Sequence, residues 1–232
     1  GLQAYIPNIN TSGAKMENIT ISMSNHNDQL DLSFYVLNHL PKNNPTAAKI
    51  GDIKANVHVR AKNDIVDLQV ELGNTDSVRN EGVIHLISKL SKDMGKPRFD
   101  IDVLPSNIVL NDSAWSIGKA KISYLLAKQE MSINDFSLKT DYQSITANGK
   151  ASKLASDSID VTLNNINLNY LLSYTEANNV ISIMGPVTGE AKLYSLFSAP
   201  MLEAQAFIPN GGINGVYLGD VTAEAVLDRE NK

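Results

Sequence analysis

The chain contains no cysteine. That excludes a disulfide-built domain, a thiolate metal site and a Cys nucleophile. Aromatic residues make up only 6% of its 232 positions, with a single tryptophan. Basic charge is also short, since 20 Lys and Arg face 25 Asp and Glu, leaving a net charge of −5. A general nucleic-acid binder carries a basic face, so no nucleic-acid partner is expected. The lysines at 119, 121, 139, 150 and 153 are scattered and do not alternate with aromatics as a base-stacking platform would. No run approaches the roughly 20 apolar residues of a membrane-crossing helix. Gly1 to Asn10 has neither the charged nor the apolar region of a signal peptide. The chain opens without a start signal and closes on Leu227-Asp228-Arg229-Glu230-Asn231-Lys232, so both ends read as cuts within something longer.

Catalytic patterns are equally scarce. His26, His39, His58 and His85 show no metal-ligand spacing, and His58 falls on the polar side of its strand. There is no Gly-x-Ser-x-Gly elbow, no P-loop and no dinucleotide fingerprint. Gly211-Gly212-Ile213-Asn214-Gly215 is glycine-rich, but no helix follows to hold a phosphate, and it reads as a hairpin turn. Asp100 and Asp102 share one strand face, a pairing used in acid-base chemistry and calcium binding. With apolar residues between them they read more simply as the wet face of an amphipathic strand. The Asn164, Asn165, Asn167 and Asn169 run reads as a turn followed by a polar strand face. No enzyme activity, cofactor or metal is expected.

What the sequence has in abundance is alternation, the mark of half-buried strands. Ile19, Ile21 and Met23 alternate with polar residues, as do Leu30, Leu32, Phe34 and Val36. The same holds for Ile53 to Val59, Val66 to Leu72, Phe99 to Val103, Ile122 to Leu126, Ile159 to Leu163, Val187 to Leu193, Leu202 to Ile208 and Val221 to Leu227. Turn signals separate them: Asn111-Asp112-Ser113, Asn134-Asp135, Asn148-Gly149, Asn164-Asn165, Gly185-Pro186 and Asn210-Gly211-Gly212. Two short helices are expected. One covers Glu81 to Asp93, with Asn80 as its cap and Val83, Ile84, Ile87 and Leu90 at helical spacing. The other lies over Asn169 to Thr175. Pro41 to Pro45 and Lys96-Pro97 read as loops, the latter a soft boundary between an N-terminal segment, 1–95, and a second, 96–232. The expected class is all-β: an elongated, curled antiparallel sheet or a β-sandwich, which periodicity alone does not separate.

From Leu104 onward an ordered series of segments carries a resemblance. Leu104 to Ile117, with its polar turn before Trp115, is followed by Met131 to Leu138, Ile145 to Ser152, Ile159 to Leu168, Gly185 to Ala191, and Ala199 to Val221. In this order they resemble the TamB proteins of Gram-negative envelopes, within the wider AsmA-like group. The likeness covers Leu104 to Asp228 well and Met16 to Leu90 more loosely. It implies a long periplasmic β-structure, anchored to the inner membrane by a helix this chain lacks, whose sheet curls into a taco-like trough with an apolar lining. It further implies phospholipid acyl chains as cargo, an outer-membrane barrel of the Omp85 family (TamA-like) as partner of the full-length protein, and neighbouring β segments of the same chain as continuation. The activities implied are outer-membrane lipid delivery or outer-membrane protein assembly.

Strand alternation is compatible with that role. Each exposed methylene costs about 0.8 kcal/mol, so a diacyl lipid stranded in water loses on the order of 20 kcal/mol. A continuous apolar track removes that barrier without any catalytic residue. The candidate lining residues are Phe99, Ile101, Val103, Ile122, Tyr124, Ile133, Phe136, Leu138, Ile159, Val161, Leu163, Ala191 and Leu193. In a closed sandwich the same residues pack on one another without lipid. That rival reading is a protein- or glycan-binding domain, with Tyr142, Tyr194 or Tyr217 as an exposed aromatic platform. Trp115 reads as a core plug or a rim anchor.

Overall fold

The computed structural model describes residues 1–10, 15–39, 52–74, 78–154, 156–169, 182–198 and 200–227. Among the described residues the architecture is all-β, with seventeen strands in one sheet. The strands are β1 Leu2–Asn10, β2 Lys15–His26, β3 Gln29–His39, β4 Ile53–Lys62, β5 Ile65–Asn74, β6 Glu81–Asp93, β7 Lys96–Val103, β8 Ser106–Leu110 and β9 Ser113–Ile117. They continue as β10 Ala120–Leu125, β11 Glu130–Lys139, β12 Ser144–Ala151, β13 Ser158–Ile166, β14 Ile183–Met184, β15 Val187–Tyr194, β16 Met201–Ile213 and β17 Val216–Leu227. The chain divides into two compact units, Gly1–Leu90 with Asp102–Ser116, and Ser91–Ile101 with Ile117–Lys232.

In the first unit β1 to β6 pair antiparallel in chain order. The register aligns like with like. Ala4, Ile21, Phe34, Val57, Val70 and Ile84 form one row across all six strands, and Leu2, Met23, Leu32, Val59, Leu68 and Leu86 form another. The row between them, which faces the other way, is Gln3, Ser22, Ser33, His58, Gln69 and His85. A slip of one residue would mix the two sets, so the alternation itself holds the register. In the second unit β10 to β13 pair in order, β13 then pairs with β15, β15 with β16 and β16 with β17.

Tight turns of Asn and Asp join many of these strands. Asn27-Asp28, Asn63-Asp64 and Asn111-Asp112 all have both residues at positive φ, between 49° and 62°. That is the two-residue hairpin geometry whose twist matches the strands. The expected turn at Asn111-Asp112 is therefore present. The hairpin in the glycine-rich segment is Asn214-Gly215, with φ of 51° and 82°.

Several sequence expectations give way here. Glu81 to Asp93 is strand β6, not a helix. Val83, Ile84 and Ile87 are β-branched and suit a pleated surface, and pairing with β5 outweighs their helical spacing. Asn80 does not cap a helix; its side chain accepts from the Asn111 backbone N–H at 2.9 Å. Lys96-Pro97 opens β7 rather than forming a loop. Leu168 and Asn169 are helical, and the rest of the second expected helix lies outside the described residues, as does the Pro41 to Pro45 loop.

Three more expected turns are β-bulges inside strands. The register shifts between Ile133 and Phe136, between Leu163 and Ile166, and between Ile208 and Gly211, each time with one extra residue on the bulged strand. Asp135, Asn165 and Asn210 sit there at φ near 50–60°. A bulged residue leaves its N–H without a ladder partner. Here a side chain on the neighbouring strand accepts it: Asn148 Oδ1 from Asp135 at 2.6 Å, Thr188 Oγ1 from Asn165 at 3.0 Å, and Asp220 Oδ1 from Asn210 at 3.0 Å. Asn148-Gly149 is likewise not a turn but lies within β12. Gly149 has φ of 129°, and a Cβ there would meet the Ser158 carbonyl oxygen at 2.2 Å.

Candidate apolar face

Bulges decide which residues share a face. Met131 and Ile133 point to one side of β11; without the extra residue, Phe136 and Leu138 would point to the other. With it, all four align. The row Ile122, Ile133, Gly149, Ile159, Leu193, Leu202 and Leu227 crosses seven strands of the second unit. Beside it run Phe136, Ala147, Val161, Ala191, Ala204 and Ala225, then Leu138, Ile145, Leu163, Gly189, Ala206 and Ala223. The opposite face is polar; one of its rows is Ser137, Thr146, Thr162, Glu190, Gln205 and Glu224.

Nine candidate lining residues therefore fall on one face: Ile122, Ile133, Phe136, Leu138, Ile159, Val161, Leu163, Ala191 and Leu193. Tyr124 joins them opposite Met131. Phe99 and Ile101 lie on β7, which pairs with β10; the Leu126 N–H donates to the Pro97 carbonyl at 3.2 Å. Val103 belongs to the other unit and is buried.

Burial on this face is uneven. Ile159, at 2% exposed, forms a small closed cluster with Ala147 and Ala151. Met131, Ile133, Phe136, Val161 and Leu193 pack against that cluster while staying partly exposed. Toward β17 the face opens, and Leu227 is 65% exposed. The apolar rows of the first unit behave alike: Ile21, Phe34, Val57, Leu68, Val70, Ile84 and Leu86 are all partly exposed. Those residues were missing from the candidate set, although the same alternation displayed them. Trp115 is buried, on the core side of its two readings, and among the described residues its indole N–H has no hydrogen-bond partner.

The polar candidates have ordinary structural partners. Arg98 grips Asp100 with two bonds, Nη2 to Oδ1 at 2.8 Å and Nε to Oδ2 at 2.9 Å, which push the guanidinium pKa up. His58 Nδ1 lies 3.0 Å from Ser33 Oγ, and His85 Nε2 lies 2.8 Å from Asp67 Oδ1. Among the described residues no His, Asp or Glu cluster is arranged to hold a metal. Asn165 serves the β13 bulge, and Asn169 accepts from the Ile183 backbone N–H at 2.9 Å. Near Ala151, Lys150 lies 3.1 Å from Asp157 and 3.6 Å from Glu130. The Ser152 hydroxyl, donating at 2.7 Å, and then Lys150 hold the Asp157 carboxyl below its ordinary range. Of the three tyrosines in the rival reading, Tyr142 and Tyr217 are exposed, and Tyr194 donates to Glu203 at 3.0 Å. They sit on separate elements.

No helix among the described residues is long and apolar enough to cross a membrane. No family model, curated protein or solved structure matches this chain.

Proposed function

We propose that the chain is a non-enzymatic envelope module, similar to the TamB proteins, that shields phospholipid acyl chains against its apolar sheet face. The observation that carries this reading is the register: in each unit whole rows of apolar residues run from strand to strand without a polar interruption, and most stay partly exposed. Acyl chains need contact that is apolar, non-directional and continuous, and they need no catalytic group. Periplasmic location, an inner-membrane anchor elsewhere in a longer protein, continuation into neighbouring β segments and an Omp85-family barrel as partner rest on the sequence resemblance alone. So does a role in lipid delivery or outer-membrane protein assembly.

Mass spectrometry of organic extracts from the purified chain tests the reading against a similarly treated control protein. Phospholipid near one per chain, lost on Ile101→Asp or Val161→Asp while the fold survives, supports it. Absence of lipid above the control, with a cooperative fold, overturns it in favour of a closed β domain that binds protein or glycan.

A further inference from the structure

We propose that one end of the second unit's sheet docks on an anionic phospholipid bilayer, through apolar turn tips set among lysines. The inference goes beyond the shielding of acyl chains and does not require it. The ladder places three connections at this end. β6 closes on β7 through Met94-Gly95. The Leu126 N–H bonds to the Pro97 carbonyl, and Lys128 Nζ lies 3.6 Å from Asp93, so the turn from β10 to β11 sits beside that hairpin. Met131, near the start of β11, pairs with Ala151, the last residue of β12, which brings Lys153 and Leu154 to the same end.

The first of these hairpins departs from the others in the chain. Among the described residues, the two-residue hairpins at 27–28, 63–64, 111–112 and 214–215 all open on Asn, with φ of 49–51°. Asn takes that left-handed backbone readily, because its short polar side chain bonds locally. The β6–β7 hairpin puts Met94 there instead, at φ of 49°. Its long apolar side chain gains nothing locally from that conformation, and it is 78% exposed. Leu154, 61% exposed, and Leu126, 39% exposed, stand at the two neighbouring connections. Apolar tips held out in water suit a membrane interface, where such side chains bury roughly 5–10 Å deep at the boundary of headgroups and acyl chains.

Charge selects the kind of membrane. Segments 92–97, 125–131 and 150–157 hold five lysines and three carboxylates. Asp93 faces Lys128, while Glu130 and Asp157 both face Lys150, at 3.6 Å and 3.1 Å. The three carboxylates are thereby committed. Among the described residues Lys92, Lys96 and Lys153, all exposed, form no ion pair. The whole chain carries −5. At 0.15 M salt, however, charges more than about 8 Å from a surface are largely screened, so the end that touches sets the sign. Lysines around apolar tips match an anionic bilayer: the ammonium groups meet the headgroups while Met94 and Leu154 enter the interface. An acidic protein surface would answer the lysines and leave the tips unmatched.

Co-sedimentation of the purified chain with vesicles tests the docking end. The vesicles are dioleoylphosphatidylcholine, alone or mixed with dioleoylphosphatidylglycerol, at low and high salt. Binding is expected to the anionic vesicles and to weaken with salt. Met94→Asn installs the residue that opens the other hairpins, so the fold is expected to keep or raise its melting temperature while vesicle affinity falls about tenfold. Lys92→Gln and Lys153→Gln are each expected to lose about fivefold. Tyr142→Ser, at the opposite strand ends and 79% exposed in the wild type, is expected to bind as wild type does. No binding to anionic vesicles by the folded chain overturns the proposal. So does binding that Met94→Asn leaves unchanged, an equal loss on Tyr142→Ser, or equal binding to the neutral vesicles. Phospholipid retained by the purified chain is read separately. Retention without vesicle binding overturns the docking end alone, and vesicle binding without retention overturns acyl-chain shielding alone.

Discussion

An aspartate placed at Val161 separates an open apolar face from a sealed core. Val161 lies mid-row, between Ala147 on β12 and Ala191 on β15, and is partly exposed. Fully burying a valine is worth about 1.5 kcal/mol, so losing a partly buried one costs about 1 kcal/mol. A carboxylate there keeps one side in water, which limits incomplete desolvation to about another 1 kcal/mol. The sum of about 2 kcal/mol lowers Tm by roughly 4–8 °C in a chain of this size. Ile159, its neighbour two residues earlier, is 2% exposed. Ile159→Asp removes about 2–3 kcal/mol of apolar burial and strands a charge for several kcal/mol more. That variant is expected to lose 10 °C or more, or to fail to fold, by the same scaling of roughly 2–4 °C per kcal/mol. Thermal melts followed by far-ultraviolet circular dichroism, with phospholipid quantified in each purified chain, read both effects. Val161→Asp is expected to stay folded and lose lipid. Equal destabilisation by the two substitutions refutes the open face, and a folded Val161→Asp chain with its lipid undiminished refutes the role of the face in holding lipid.

Gly149→Ala is expected to cost about 2 kcal/mol or more in urea melts, because φ of 129° is left-handed and the new Cβ meets the Ser158 carbonyl. An unchanged midpoint would show that β12 relaxes freely at this point. Asp157 sits below its ordinary pKa through Ser152 and Lys150, so its contribution is complete above about pH 4 and is lost as pH falls below that value. Asp157→Asn should therefore flatten the acid limb of the stability–pH profile and lower its neutral plateau; an unaltered acid limb would contradict the assignment. Trp115 is the only tryptophan and is buried, so its emission should be blue-shifted in the native state and shift to the red in one step with the circular dichroism melt. Native emission already at the wavelength of solvated indole would place it outside the core.

Sequence alone determined most of the strands and, between bulges, their two faces. Ile53 to Val59 and Val66 to Leu72 alternate strictly, and a period of two has only one regular backbone that puts like side chains together. The hairpin at Asn111-Asp112 was legible too, but period two alone puts Phe136 and Leu138 opposite to Ile133, and the bulge at Asp135 brings them to one face. Tertiary structure decided what local chemistry left degenerate. Asn and Asp at positive φ serve a turn or a bulge equally well, so Asp135, Asn165 and Asn210 became bulges only because partner strands supplied Asn148, Thr188 and Asp220 to accept their N–H groups. Residues 81 to 93 carry both a helical spacing and a β-branched composition, and the ladder with β5 resolved them as strand. The placement of Leu196 and Phe197 over Ala151 had no periodic signal at all. It depends on a chain reversal after β15 and on contacts with β10 and β12, which are distant in sequence and meet only when the sheet is assembled.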